Sequence, residues 1–272
     1  MKIVTVSDIH LDMNSNYARA DLLPVFIQCL KRVEADLIII AGDLCDYAAD
    51  TIQVLNRLEA ELEIKVLFIP GNHDIWVKQK EHSSWESYHQ LREHPSSLLG
   101  KPYELNNGYV VIGEMGWYDY SFVKENIPYR AVIEHLQDWG DCKWTEWKMN
   151  DQKLNEWMLE HLKEQLNRYK DEKIILVHHF VPYLDFLSES TEYMDWNLYN
   201  AFMGSNSAGK LIDSYGNIKY VIFGHTHDRY GIVSNYHQKT VICNPLGYIA
   251  EPSKKVFEEE LIKSITTIEL ED

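Results

Sequence analysis

An α/β fold of layered type is what the sequence predicts, and three observations carry that prediction. Short apolar, β-branched runs alternate with amphipathic stretches along the 272 residues. Runs such as Leu37-Ile38-Ile39-Ile40 lack the polar alternation of a half-exposed strand, so they read as strands covered on both faces. With 45% hydrophobic and 12% aromatic residues the chain can bury a sizeable core, and it reads as one domain over 1–272.

Strands are predicted over residues 2–7, 36–41, 65–69, 109–113, 173–177, 219–223 and 239–243, each an apolar run bounded by polar or turn-forming residues. Helical periodicity covers 20–35, 50–62, 76–92 and 150–169. Pro24 fits only the first turn of its helix, because it lacks the N–H that an interior position must donate. Residues 114–149 break the alternation. Periodicity fades there and Trp117, Tyr118, Tyr120, Phe122, Tyr129, Trp139, Trp144 and Trp147 crowd in, which predicts an aromatic-rich insertion folded over the sheet.

The formal charge of −16 opposes binding to nucleic acid or anionic lipid, because phosphates repel it, so a small-molecule partner is expected. The N-terminus shows no basic stretch leading into a long apolar one, and no apolar run approaches the roughly 20 residues that a membrane span needs. Cys29, Cys45, Cys142 and Cys243 are scattered without CxxC spacing and read as reduced thiols. Together these features predict a cytoplasmic protein.

Polar side chains of metal-ligand type gather where the predicted strands end. These blocks read Ser7-Asp8-Ile9-His10, Gly42-Asp43-Leu44-Cys45-Asp46, Gly71-Asn72-His73-Asp74, Val177-His178-His179 and Gly224-His225-Thr226-His227. Open α/β sheets place their sites at such strand ends. Asp, Asn and imidazole without thiolate suit Mn, Fe, Zn or Ni. A single DxH or HxH would carry little weight, but five successive strand ends form one constellation. Side chains at i and i+2, as in Asp8/His10 and His225/His227, converge only where the strand has begun to curl.

These blocks resemble the signature of the calcineurin-like metallophosphoesterases: DxH, GDxxD, GNHD, a later His, then GHxH. The resemblance spans Asp8 to His227. It implies a central β-sandwich flanked by helices, a four-layer arrangement with a dinuclear centre. One divalent ion would take Asp8, His10 and His227; the other would take Asn72, His178 and His225; Asp43 would bridge them. Spacing alone leaves His178 and His179 equivalent, and the family motif favours His178. Two cations about 3.5–4 Å apart can share a water and lower its pKa, so that hydroxide attacks phosphorus in line. By the same resemblance His73 would protonate the departing oxygen of a phosphodiester or phosphomonoester, and Asp46 would orient that imidazole. Asp74 is a less definite helper that serves at least the backbone of its turn.

Departures narrow the subfamily. Tyr47 stands where protein Ser/Thr phosphatases carry a phosphate-gripping arginine. Asp46 stands where purple acid phosphatases place a tyrosine ligand, and no ligand is missing as it is in scaffold-type members. For specificity the aromatic segment draws attention, with Tyr118 and Tyr120 as candidate substrate contacts and Trp196 and Asn197 on the other side. The other histidines (His82, His89, His94, His135, His161, His237) read as surface residues. A nuclease of the same superfamily and a metal-binding scaffold without turnover are the competing readings.

Overall fold

A computed structural model of the chain describes residues 1–77, 83–124, 127–188 and 198–271. Trp196, Asn197 and His82 lie outside the described residues, as does the His135 side chain.

Two sheets carry the fold. In the first, β1 (Lys2–Val6), β2 (Leu37–Ala41) and β3 (Lys65–Ile69) run parallel, and β10 (Thr266–Glu269) closes the edge antiparallel to β1. In the second, β5 (Tyr109–Glu114), β6 (Lys173–His178), β7 (Ile218–Phe223) and β9 (Lys239–Cys243) run parallel. Its edges are the antiparallel strands β4 (Tyr103–Glu104) and β8 (Gly231–Tyr236). The sheets face each other through Ile3, Leu37, Ile39, Leu67 and Ile69 on one side and Val111, Ile175, Val177, Ile222 and Ile242 on the other. This core explains why the strands show no polar alternation: each alternate residue enters either the inter-sheet layer or a helix layer.

Helices cover both outer faces. α1 (Leu11–Ala18) leads from the end of β1 to α2 (Leu23–Arg32); α2, α3 (Ala48–Glu61), α4 (Ser84–Glu93) and the late α9 (Lys254–Ser264) pack on the first sheet. The segment 114–149 contributes α5 (Tyr129–Leu136) and α6 (Gly140–Trp144). α7 (Asp151–Arg168) and α8 (Asn206–Asp213) cover the second sheet through Leu162, Leu166 and Ile212. The result is the helix–sheet–sheet–helix order expected above.

Some elements differ from expectation. The helix predicted from residue 76 begins at Ser84, where Ser83 and Glu86 form a reciprocal capping box; Trp76 is extended and follows a 3₁₀ turn, His73–Ile75. The strand β8 is an edge with no buried residue, and it lacked the apolar run that marks the central strands. His94 is buried rather than at the surface, accepting from Ser96 N at 3.2 Å.

Glu114, at the end of β5, is fully buried and accepts from Tyr88 Oη at 3.0 Å and Met115 N at 2.9 Å. Burial pushes its carboxyl from the ordinary 4.5 up to about 7. A carboxyl that is harder to ionise when folded stabilises the protonated fold. Its contribution is therefore complete below pH 4.5 and is lost as pH rises through about 7, amounting to at most about 3 kcal/mol. Glu114→Gln is expected to melt higher than wild type at pH 8 and close to it at pH 5. Calorimetry at the two pH values checks this; an identical shift at both would contradict it.

Candidate metal centre

The polar blocks meet at the C-terminal ends of β1, β2, β3, β6 and β7, above the inter-sheet core. Asp8, His10, Asp43, His225 and His227 all have positive φ, between 42° and 67°. Few non-glycine residues adopt this left-handed backbone, and it is how i and i+2 side chains come to face one point once the strand has ended. Gly71 is required by the same crowding. A Cβ there would lie 2.2 Å from Asp43 Oδ1 and 2.6 Å from His179 Nε2.

Two acceptor-rich clusters share Asp43. In the first, His10 Nε2 lies 3.0 Å from His227 Nε2 and 3.7 Å from Asp43 Oδ2, while His227 Nε2 lies 3.4 Å from Asp8 Oδ1. In the second, His179 Nε2 lies 3.2 Å from Asn72 Oδ1 and 3.3 Å from Asp43 Oδ2, with the His225 ring 5.2 Å from that of His179. In the second cluster the other polar atoms of His179, His225 and Asn72 are already committed, whereas in the first His10 Nδ1 and Asp8 Oδ2 are buried without a partner. His179 Nδ1 donates to Ala41 O (2.9 Å), His225 Nε2 donates to Phe202 O (3.1 Å) and Asn72 Nδ2 donates to Asp141 Oδ1 (2.8 Å). Lone pairs are therefore aimed at lone pairs in a buried place, and only a proton or a cation reconciles them. The donor set of imidazoles, carboxylates and one amide oxygen fits divalent transition metals.

Protonation follows the same geometry. Burial and the facing His73 hold His10 well below 6.5; burial and the charge of His179 take His225 down to about 3, so both rings are neutral and ready to ligate. Burial opposes ionisation of Asp43, but His179, His73 and His10 outweigh it and keep the carboxyl well below its usual range. His179 is driven the other way. Burial disfavours its charge, yet Asp43 and Asp8 raise it to about 9, so a proton occupies Nε2 when no cation competes.

His178 does not join this centre, contrary to the expectation from the motif. Its Nδ1 donates to Phe180 O at 2.6 Å, its Nε2 is buried without a partner, and burial lowers it to about 4. Strand alternation is the reason: Ile175 and Val177 enter the inter-sheet layer, so His179 follows them to the metal side while His178 shares the helix side with Ile174 and Leu176.

Beside the first cluster, His73 Nδ1 donates to Asp46 Oδ1 at 2.9 Å, and its ring lies on Trp76 with centroids 3.7 Å apart. Burial lowers the His73 pKa, but Asp43 and Asp46 overcome it and leave a net upward shift. Asp74 receives five donors: the backbone N–H of Asp43, Leu44, Cys45 and Gly71, and the Thr51 hydroxyl. It is the clamp that joins the turns after β2 and β3.

Tyr118 and Tyr120 do not line the centre, and the expectation of substrate contacts there is corrected. Tyr118 is buried between Trp117, Phe180 and Phe202, and the Tyr120 hydroxyl is bonded to Asp151. The aromatic segment instead supplies Asp141, which the sequence motifs do not mark. Its carboxylate takes Asn72 Nδ2 and the indole N–H groups of Trp76 and Trp139 at 2.8, 2.8 and 2.9 Å, turning the Asn72 oxygen toward the cluster. Tyr248 escapes the motifs as well. Its hydroxyl lies 3.1 Å from His73 Nε2, and its ring covers His10 and His227 at 4.5 and 4.6 Å. No local pattern signals either residue.

Comparison with known proteins agrees with this architecture. The family model described as calcineurin-like phosphoesterase matches residues 1–229. The SbcD component of the nuclease SbcCD from Staphylococcus saprophyticus subsp. saprophyticus is 29% identical over 257 residues, 87% of this chain; the match covers 59% of that protein's length. The charge-based expectation against nucleic acid finds no support in this likeness to a nuclease component. Among solved structures, phosphopantetheinyl hydrolase from Mycobacterium tuberculosis has a TM-score of 0.72 at 15% identity, covering 98% of this chain and 95% of that one. A dimetal phosphatase from Danio rerio has a TM-score of 0.53 at 13% identity, covering 94% and 90%. These two show the shared fold. Among the described residues, no helix is long and apolar enough to cross a membrane.

Proposed function

The chain belongs to the calcineurin-like phosphoesterase family, and from that premise we propose that it hydrolyses phosphoesters at a two-cation centre, with His73 as proton donor to the departing oxygen. One observation carries the reading: acceptor atoms of seven side chains, all buried except the half-buried His227, are aimed at two points that share Asp43. Asp8, His10 and His227 would hold one cation, Asn72, His179 and His225 the other, and Asp43 both. When bound, such ions supply positive charge for phosphoryl oxygens and lower the pKa of water.

The protein's own groups do the rest. Asp46 fixes the His73 ring with Nδ1–H inward, so Nε2 faces outward and can give up its proton to an oxygen leaving phosphorus. Asp74 keeps the two turns in register, and Asp141 keeps the Asn72 oxygen aimed at the centre. The −16 charge is a weak argument for a small phosphodiester or phosphomonoester as substrate over a polyanion, and the four unpaired cysteines support a cytoplasmic setting. A nuclease is the second reading, favoured by the similarity to a nuclease component.

Bis(p-nitrophenyl) phosphate should be turned over with Mn²⁺, abolished by EDTA and restored by excess metal. Absence of turnover with Mn²⁺, Fe²⁺, Zn²⁺ or Ni²⁺ would remove the proposal. Cleavage of single-stranded oligonucleotides that weakens steeply with salt would decide for the nuclease.

A further inference from the structure

The oxygen that departs from phosphorus must meet His73 at Nε2, because Nδ1 is held by Asp46. That position already has a partner, the hydroxyl of Tyr248 at 3.1 Å. Tyr248 sits on the loop after β9, and both of its neighbours are tied down. Gly247 N donates to Asp8 O (2.9 Å), Asn14 Nδ2 donates to Gly247 O (3.2 Å), and Ile249 N donates to Asn14 Oδ1 (3.1 Å). Asn14 is itself fully buried. The side chain between these anchors is nevertheless 46% exposed. A rigid loop thus presents a phenol at the mouth of the site, with its ring over two imidazoles and its hydroxyl where an ester oxygen would arrive.

We propose that Tyr248 is a further substrate-contacting residue: its hydroxyl holds the place of the departing oxygen in the free protein and donates a hydrogen bond to the oxygens of the bound phosphoester beside His73. The inference rests on the reading of His73 given above. The phenol stays O–H throughout; the proton that reaches the leaving oxygen comes from His73, so no covalent step is assigned to Tyr248. A hydrogen bond to an oxygen gaining negative charge strengthens as the bond to phosphorus breaks, and it therefore acts on turnover.

Tyr248→Phe keeps the ring over His10 and His227 and removes only the hydroxyl. With saturating Mn²⁺, kcat on an alkyl phosphodiester should fall about tenfold, the size of one neutral hydrogen bond made in the transition state, with KM little changed. The loss on a p-nitrophenyl ester should be much smaller. Apart from activity, the ¹⁵N resonance of His73 Nε2 in the metal-free protein should shift in Tyr248→Phe, as its hydrogen-bond partner is lost. Equal kcat losses on both substrate classes, or an unmoved resonance, would overturn the assignment. His73→Asn measured in parallel separates the two ideas. If it discriminates between leaving groups and Tyr248→Phe does not, Tyr248 alone is wrong; if it does not discriminate either, the acid role of His73 fails and this inference fails with it.

Discussion

His179→Ala is expected to leave the protein with one firmly held metal equivalent instead of two, and to abolish most turnover. The imidazole it removes presents Nε2 at 3.2 Å from Asn72 Oδ1 and 3.3 Å from Asp43 Oδ2. Loss of even an outer partner of a metal ligand weakens binding by about 10–100-fold, and loss of a ligand should exceed that. His178→Ala makes the opposite case. It should retain both equivalents and most activity while lowering stability by about 1–3 kcal/mol, since it removes a buried ring and leaves Phe180 O without its donor. Metal content by mass spectrometry after gel filtration, with a thermal melt of each variant, reads both effects. Metal loss in His178→Ala with retention in His179→Ala would reverse the assignment of the second cation site.

His73→Asn should cripple hydrolysis of alkyl phosphoesters by about 10²–10⁴ and affect p-nitrophenyl esters far less. An alkoxide leaves reluctantly and needs a proton, whereas p-nitrophenolate is already a stable anion. Asp46→Asn should follow the same trend more weakly, because it holds the ring and supports its charge at 2.9 Å without giving the proton. The pH dependence has a definite sign. Burial lowers the His73 pKa, but Asp43 and Asp46 outweigh it and shift it upward, so the donor form persists to higher pH than in an ordinary imidazole and is lost as pH rises through the shifted value. Turnover of alkyl esters by the wild type should therefore decline on the alkaline side, and His73→Asn should lack that decline. Rates at saturating Mn²⁺ keep metal loss from imitating the result. Equal losses on both ester classes would assign His73 to holding the phosphoryl group instead.

The strands and the polar blocks at their ends were legible because both are written locally. An apolar run of five residues followed by Gly-Asp or Gly-Asn states its own conformation: β-branched residues favour the pleated surface, and glycine admits the close approach that follows. The order of the blocks along the chain was enough to bring Asp8, His10, Asp43, Asn72, His225 and His227 to one end of the sheets. The pairing of Asp46 with His73 was implied by the family resemblance and not by any local pattern. Charge was a weaker guide, since −16 is a property of the whole chain and says little about the groove that meets a phosphate.

What the sequence by itself determined was therefore the layered α/β class, the gathering of the polar blocks at the strand ends, and most of the side chains that meet there. Only the tertiary structure showed that His179 and not His178 faces this cluster. β6 is apolar on both faces, so its alternation carries no sign, and the inter-sheet side becomes defined only when the two sheets pack. Tertiary packing likewise drew Tyr118 and Tyr120 into the core and brought Asp141 to Asn72 across 69 positions and Tyr248 to His73 across 175. Contacts between residues so far apart in sequence exist only once the intervening chain has folded, because closing those loops is set by packing of the whole core and not by any local preference.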